Sequence, residues 1–236
     1  MSAKLIVALD VDNIKTAENL IGSLIKYADI YKIGSYLFTT YGPEIIEMVH
    51  RKGGKVFLDL KYHDIPSTVA NAVSEATKKK VWGLTIHASG GFTMLKEAAK
   101  AAEKTAQELK ITKPLVVGVT VLTSLQEKDL KELGLNRKVE KQVKRLAVIA
   151  TDAGLDGVVA SGQEIETVRK KCGKHFIIVT PGIRPKFAGL NDQKRVMTPA
   201  EAIEKGADYL VIGRPIIEAN DPLEAARQII SEIENG

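Results

Sequence analysis

Four charged residues stand where three otherwise apolar runs end: Asp10 in ALDV, Lys32 in YKIGS, and Asp59 and Lys61 in FLDLKYHDIPST. Residues i and i+2 of a strand share a face with Cα atoms about 7 Å apart, so Asp59 and Lys61 project together. Adjacent strands lie about 5 Å apart. If the three runs are neighbouring strands, the side chains form a row of alternating sign: Asp10, Lys32, Asp59, Lys61. Each ammonium then lies between carboxylates, and all four can stay ionised in a partly dry mouth. A lone D-x-K in a strand is ordinarily a surface ion pair worth little. Four such charges converging on one mouth point to chemistry instead. Asp64 adds a fifth, just past the third run; spacing puts it away from the Asp59/Lys61 face or over the rim.

A second group of residues suits an anion. One apolar run leaves through Thr180-Pro181-Gly182-Ile183-Arg184, and the last through Ile212-Gly213-Arg214-Pro215. Gly182 and Gly213 let backbone amides approach a phosphate, and Arg214 can add charge-assisted hydrogen bonds. A Gly-Arg-Pro alone is an ordinary strand-ending turn. Paired with TPGIRP, it reads as a phosphate site.

The elements that must position these residues alternate from end to end. Strands are expected at 5–11, 30–34, 55–61, 83–88, 115–120, 157–161, 176–182 and 209–214. Several are continuously apolar, as strands buried on both faces are. Between them the apolar spacing turns helical: Val69, Ala72, Val73, Ala76; then Leu95, Ala98, Ala99, Ala102; then Val139, Val143, Leu146, Ala147, Ala150. Pro66 and Pro222 are sensible helix starts. Eight strands in 236 residues leave about 30 per unit, the βα spacing of a (β/α)8 TIM barrel filling residues 1–236 as one catalytic domain. An open doubly wound sheet is the competitor, but no G-x-G-x-x-G follows the first strand. In barrels the loops after strands seven and eight often hold phosphate. The long polar stretches, 126–138 and 186–197, both follow strands, where loops build the site.

Composition narrows the function classes. With 44% hydrophobic and 27% charged residues, the chain has ample material for a core. The net charge, 34 − 29 = +5, suits phosphorylated small molecules as well as nucleic acid. The densest basic cluster, Lys78-Lys79-Lys80, ends an expected helix and accompanies no nucleic-acid motif. No apolar run is long enough to span a bilayer or act as a signal peptide, so the expectation is a cytoplasmic protein with neither nucleic-acid nor membrane partners. A lone Cys172 excludes an intrachain disulfide and Cys-based metal sites. His63 reads as a residue facing solvent or standing behind the reacting groups, and His87 as a hydrogen-bonded packing histidine at the mouth. Cys172 and Trp82 read as packing or surface positions.

Taken together, these motifs resemble the orotidine 5′-monophosphate decarboxylase family. The likeness covers nearly the whole chain: ALDV, KIG, DLKYHDIPST, VTVLTS, TPGIRP with a downstream DQKR, and VIGRPI. D-x-K-x-x-D alone is shared with a sister group; D-x-K-x-x-D-I-P together with TPGIR, DQ and GRP is far more specific. The resemblance implies that Lys61 is the proton donor to C6 of the pyrimidine and that Asp59 lies against the substrate carboxylate. Lys32 would bridge the acidic residues and the ribose, while Asp10 binds ribose hydroxyls. Asp64 and Thr68 would serve the neighbouring subunit's site, which implies a homodimer. Thr123, with Ser124 beside it, would contact the base, and Gln193 would reach over from the loop after strand seven. Arg184, Arg214 and Gly213 would hold the phosphate. No cofactor and no metal are implied.

The implied chemistry asks for this set. Loss of CO2 from C6 leaves a carbanion that the ring delocalises poorly. A fixed ammonium stabilises the developing charge and then supplies the proton. Asp59 beside the departing carboxylate would raise the ground-state energy. Phosphate binding energy would drive closure of the 186–197 loop. Enzymes lower barriers by about 8–23 kcal/mol, and so poor a carbanion needs the upper part of that range. The nearest rivals are the related 3-keto-gulonate 6-phosphate decarboxylases and hexulose-phosphate synthases, which use magnesium and an acidic residue where this chain has Lys32. A non-catalytic phosphate-ligand or RNA-binding barrel would leave the Asp/Lys row without purpose.

Overall fold

The computed structural model describes residues 4–188 and 197–235. Eight parallel strands close on themselves in sequence order: β1 (Lys4–Ala8), β2 (Ile30–Gly34), β3 (Lys55–Tyr62), β4 (Gly83–His87), β5 (Leu115–Val119), β6 (Gly157–Val159), β7 (Ile177–Thr180) and β8 (Tyr209–Ile212). β8 returns to β1 through the pairs Lys4–Tyr209 to Val7–Ile212, and helices lie between successive strands. The expected TIM barrel is the fold.

Alternation along each strand explains why both faces are apolar. Ile6, Ala8, Ile30, Phe57, Val117, Val179 and Val211 pack together inside the barrel. Their neighbours Val7, Tyr31, Val56, Leu84, Val116, Ile178 and Leu210 pack outward against the helices. Each fully buried aliphatic side chain contributes about 1.5–3 kcal/mol. Phe57, Trp82 and Tyr209 meet edge to face, with centroids 6.0 and 5.0 Å apart, which gives Trp82 its packing role.

The helices start where the local chemistry asks. The Asn13 side chain accepts from Thr16 N–H at 2.8 Å to cap helix Ile14–Leu24. Pro66 and Pro222 occupy first-turn positions of Pro66–Lys78 and Pro222–Glu234, where a missing N–H costs nothing. The helical spacing turns the expected faces inward: Val69, Val73, Ala76, Leu95, Ala98, Ala102, Val143 and Leu146 are buried. Lys78 ends its helix in an ion pair with Glu75 at 2.6 Å, and Lys79 pairs with Glu47 at 3.4 Å.

Several strands are shorter than their sequence pattern. β1 stops at Ala8, so Asp10 does not close the strand but stands two residues beyond it; Leu9 N–H still bonds the Lys32 carbonyl at 3.1 Å. β6, β7 and β8 end at Val159, Thr180 and Ile212. Buried apolar residues continue past the ladders of β1, β6 and β7, at Leu9, Ala160 and Ile183, where they roof the core as the chain turns outward. The polar stretch 126–138 contains a short helix, Glu127–Glu132, whose Leu130 is buried and whose Asp129 carboxylate accepts from Gln126 N–H at 2.6 Å.

Candidate active site

On the inner face, each of the first four strands changes character toward its C-terminal end. Ile6 and Ala8 lead to Asp10, Ile30 to Lys32, Phe57 to Asp59, and Gly83 to Thr85. Register then sets these residues side by side: Ala8 pairs with Lys32, Lys32 with Phe57, and Gly34 with Asp59. The row of alternating sign is therefore present. Lys32 Nζ is 2.9 Å from Asp10 Oδ1 and 3.8 Å from Asp59 Oδ2, and Lys61 Nζ is 3.0 Å from that same Asp59 oxygen.

Burial grades the row. The side chains of Lys32 and Asp59 are 12% and 14% exposed, that of Lys61 34% and that of Asp10 57%. The Lys32–Asp59–Lys61 cluster is poorly screened, whereas the Asp10 end faces water. Lys61 does not lie between carboxylates as expected. Among the described residues Asp59 is the one acidic partner of its ammonium. Asp64 is exposed and turns its Oδ1 to the Ile65 N–H at 2.6 Å.

Asp59 and Lys61 meet, but not along a regular strand. Lys61 has φ +52°, and the β3–β4 pairing slips between Leu58 and Tyr62. Thr85, which was not picked out from the sequence, lies beside this bend. Its hydroxyl donates to Asp59 Oδ1 at 2.9 Å and accepts the Lys61 N–H at 2.9 Å. The available signal was a lone hydroxyl inside the apolar run GLTIH.

Lys32, Asp59 and Lys61 edge a cavity of about 200 Å³ whose walls are mainly apolar: Phe57, Val119, Val159, Val179 and Val211. Thr123 and Ser161 stand on its other side. Ser161, also missed, hydrogen-bonds Glu164, a pair that its S-x-x-E spacing could have revealed. Ser124 is exposed and does not line this cavity. A second cavity of about 190 Å³ shares Lys32, Pro181 and Val211 with the first and continues to Asp10, Gly182, Arg184, Gly213 and Arg214. The two cavities adjoin through these shared residues, the first mainly apolar and the second lined by Arg184 and Arg214.

The second cavity brings Arg184, Arg214, Gly182 and Gly213 together. Arg184 Nε is buried without a hydrogen-bond partner among the described residues. A buried guanidinium donor in that state calls for an acceptor. Arg184 N–H bonds the Met197 carbonyl at 2.9 Å, and Ile183 and Met197 form a bridge. A Cβ on Gly213 would lie 3.2 Å from Ala8 Cβ and 3.5 Å from Asp10 Oδ2, a tight fit that Ala8 would have to yield to by a few tenths of an ångström. Gln193 lies outside the described residues.

Asp64 and Thr68 are not brought to the charged row. Asp64 lines an open groove with His63, Ile65, Pro66, Ser89 and Gly90, and Thr68 is exposed on the first turn of Pro66–Lys78. His63 is exposed, as expected, and its ring lies 5.3 Å from that of His87. Burial holds His87 below the usual imidazole pKa; His63 and Lys61 push the same way, against Asp59. Cys172 is a free, partly buried thiol packed against the core. No helix among the described residues is long and apolar enough to cross a membrane.

Comparison with known proteins bears on this geometry. The chain is 51% identical over 232 residues to the orotidine 5′-phosphate decarboxylase of Moorella thermoacetica, covering 98% of this chain and 92% of that one. It is 49% identical over 230 residues to the enzyme of that name from Syntrophotalea carbinolica, covering 98% and 94%. The crystal structure of orotidine 5′-phosphate decarboxylase from Lactobacillus acidophilus superposes with a TM-score of 0.85 at 35% identity, over 98% of this chain and 99% of that one. With residues 3–229 matching it, the chain belongs to the orotidine 5′-phosphate decarboxylase / HUMPS family.

Proposed function

We propose that this protein decarboxylates orotidine 5′-monophosphate to UMP without a cofactor, with Lys61 as the proton donor. The observation that carries the reading is the Lys61 ammonium held 3.0 Å from Asp59 at the edge of an apolar cavity that continues into an arginine-lined one. The pyrimidine occupies the first cavity, with Thr123 at its polar edge. The ribose spans Lys32 and Asp10, and the phosphate meets Arg184, Arg214 and Gly213; Gln193 belongs to the same substrate-binding set.

In the reaction the C6–carboxylate bond breaks, CO2 departs, and the electron pair stays on C6. The Lys61 ammonium faces this charge as it develops, in a site preorganised by Asp59 and Lys32. One N–H bond of Lys61 then breaks, C6–H forms, and the lysine is left as an amine that water reprotonates. Asp59 holds the ammonium and lies against the substrate carboxylate, so its own charge opposes the ground state more than the transition state. The apolar walls exclude water and sharpen each of these interactions.

A homodimer belongs to this reading, in which Asp64 and Thr68 serve the neighbouring subunit's site; both are exposed, as is Ile65 between them. So does a cytoplasmic location, which suits the free Cys172 thiol. Against the magnesium-dependent sugar-phosphate relatives stands Lys32, whose ammonium fills the space between Asp10 and Asp59 that a divalent cation would need. The test is ultraviolet loss of orotidine 5′-monophosphate with EDTA present, with UMP identified as product. Turnover that survives EDTA is expected; turnover that requires added magnesium, or that occurs only with a hexulose phosphate, would overturn the reading.

A further inference from the structure

We propose that Thr85 is a positioning residue that sets the geometry of the Asp59–Lys61 pair through one hydroxyl; the inference rests on the catalytic reading of that pair. Thr85 is completely buried. It pairs with the inward-facing Val117 on β5, so its side chain enters the barrel beneath the charged row. There its oxygen donates to Asp59 Oδ1 at 2.9 Å and accepts from the Lys61 amide at 2.9 Å.

The need for this hydroxyl follows from the slip in the sheet. Pairing of β3 with β4 passes from Leu58–Leu84 to Tyr62–Ile86, so four steps on β3 face two on β4. The extra residues lose their ladder partners, and the Lys61 amide is one of them. A partly buried amide left without a partner is costly, and φ +52° is uncommon for a residue with a Cβ. Thr85 replaces the missing ladder bond and so holds the left-handed turn from which the Lys61 side chain springs. The same oxygen takes up Asp59 Oδ1, which turns Oδ2 toward both ammonium groups. A hydroxyl has one proton and can accept through its lone pairs. Given the Lys61 N–H as donor, the Thr85 proton must go to Asp59, and the arrangement is fixed. Valine at this position has the same shape and can do neither.

The test compares Thr85→Val and Thr85→Ser with wild type and Lys61→Ala, measuring kcat and KM for orotidine 5′-monophosphate and UMP affinity by calorimetry. Misplacing a reacting group by about 1 Å can cost on the order of 10²-fold. Thr85→Val is expected to lose about that factor in kcat while KM and UMP affinity stay within a few-fold, and Thr85→Ser to regain most of it. Should Thr85→Val fail to fold, Thr85→Ala, which leaves space instead of a misplaced methyl, serves the same comparison. Wild-type turnover in Thr85→Val beside an inactive Lys61→Ala would overturn the role of Thr85 alone. So would an equal loss in Thr85→Ser, or a loss confined to KM. Full activity in Lys61→Ala would instead remove the catalytic reading beneath it.

Discussion

Lys32 Nζ lies 2.9 Å from Asp10 and 3.8 Å from Asp59, so one ammonium ties a water-facing carboxylate to a nearly buried one. The relationship follows from register, because Lys32 pairs with Ala8 on one side and Phe57 on the other. Removing Lys32 leaves Asp59, only 14% exposed, with Lys61 as its remaining cation. On the proposed mechanism, the freed charge then pulls the Lys61 ammonium away from the reacting carbon. Lys32→Ala is expected to lower kcat by about 10²-fold or more, the usual cost of a displaced catalytic group. Steady-state kinetics check this, and an effect on KM alone would contradict it.

Beside the second cavity, where phosphate binding is proposed, Arg184 offers a buried Nε without a partner among the described residues. Hydrogen bonds to charged groups contribute about 1.5–3 kcal/mol each. Arg184→Ala is therefore expected to weaken UMP binding roughly 10- to 100-fold and to leave affinity for uridine, which lacks the phosphate, unchanged. Calorimetry with the two ligands separates a lost phosphate contact from a general collapse of the site.

Gly213 tests how closely the backbone must approach the ligand. A methyl group there would crowd Ala8 Cβ at 3.2 Å and face Asp10 Oδ2 at 3.5 Å. Gly213→Ala is expected to raise KM by about tenfold, some 1.4 kcal/mol, with a smaller effect on kcat. The measured split between KM and kcat checks the placement.

Two histidines set a pH dependence of stability. Burial holds His87 and His50 below the ordinary imidazole value; His63 and Lys61 add to this at His87, as Lys80 does at His50. In the window below about 6.5 the unfolded chain binds protons that the folded chain refuses. Stability is thus fully present above that value and falls as the pH drops through the depressed folded values. Urea unfolding at pH 7.5 and 5.5 should give a lower midpoint at the acid end, with a smaller difference in His87→Asn. A midpoint that rises on acidification would contradict the assignment.

Much of this architecture is legible in the sequence because barrel strands are apolar on both faces. A charge in such a run, as at Lys32 or Asp59, has few structural uses, and Pro66 and Pro222 mark their helices by what they lack. The strand ends were overdrawn at Asp10 and after Val159 because periodicity cannot distinguish a ladder residue from an apolar residue that roofs the core. The helix Glu127–Glu132 was hidden in a polar stretch, since one buried leucine makes no periodic signal. Thr85 escaped for a deeper reason. Its role depends on a slip between β3 and β4, and no local pattern in either strand announces how two strands will misalign. Spacing did put Asp59 and Lys61 together, yet for an incomplete reason: the pair meets through a left-handed turn rather than simple alternation.

The central claim is that the Lys61 ammonium delivers the proton to the carbon that loses CO2. Its most direct test is the rate of orotidine 5′-monophosphate loss in Lys61→Ala, at saturating substrate and with EDTA, in protein shown to bind UMP. General-acid and electrostatic contributions of this kind are worth about 10²–10⁴-fold each, so a fall of at least about 10³-fold in kcat is expected with the fold intact. Turnover within tenfold of wild type would contradict the account.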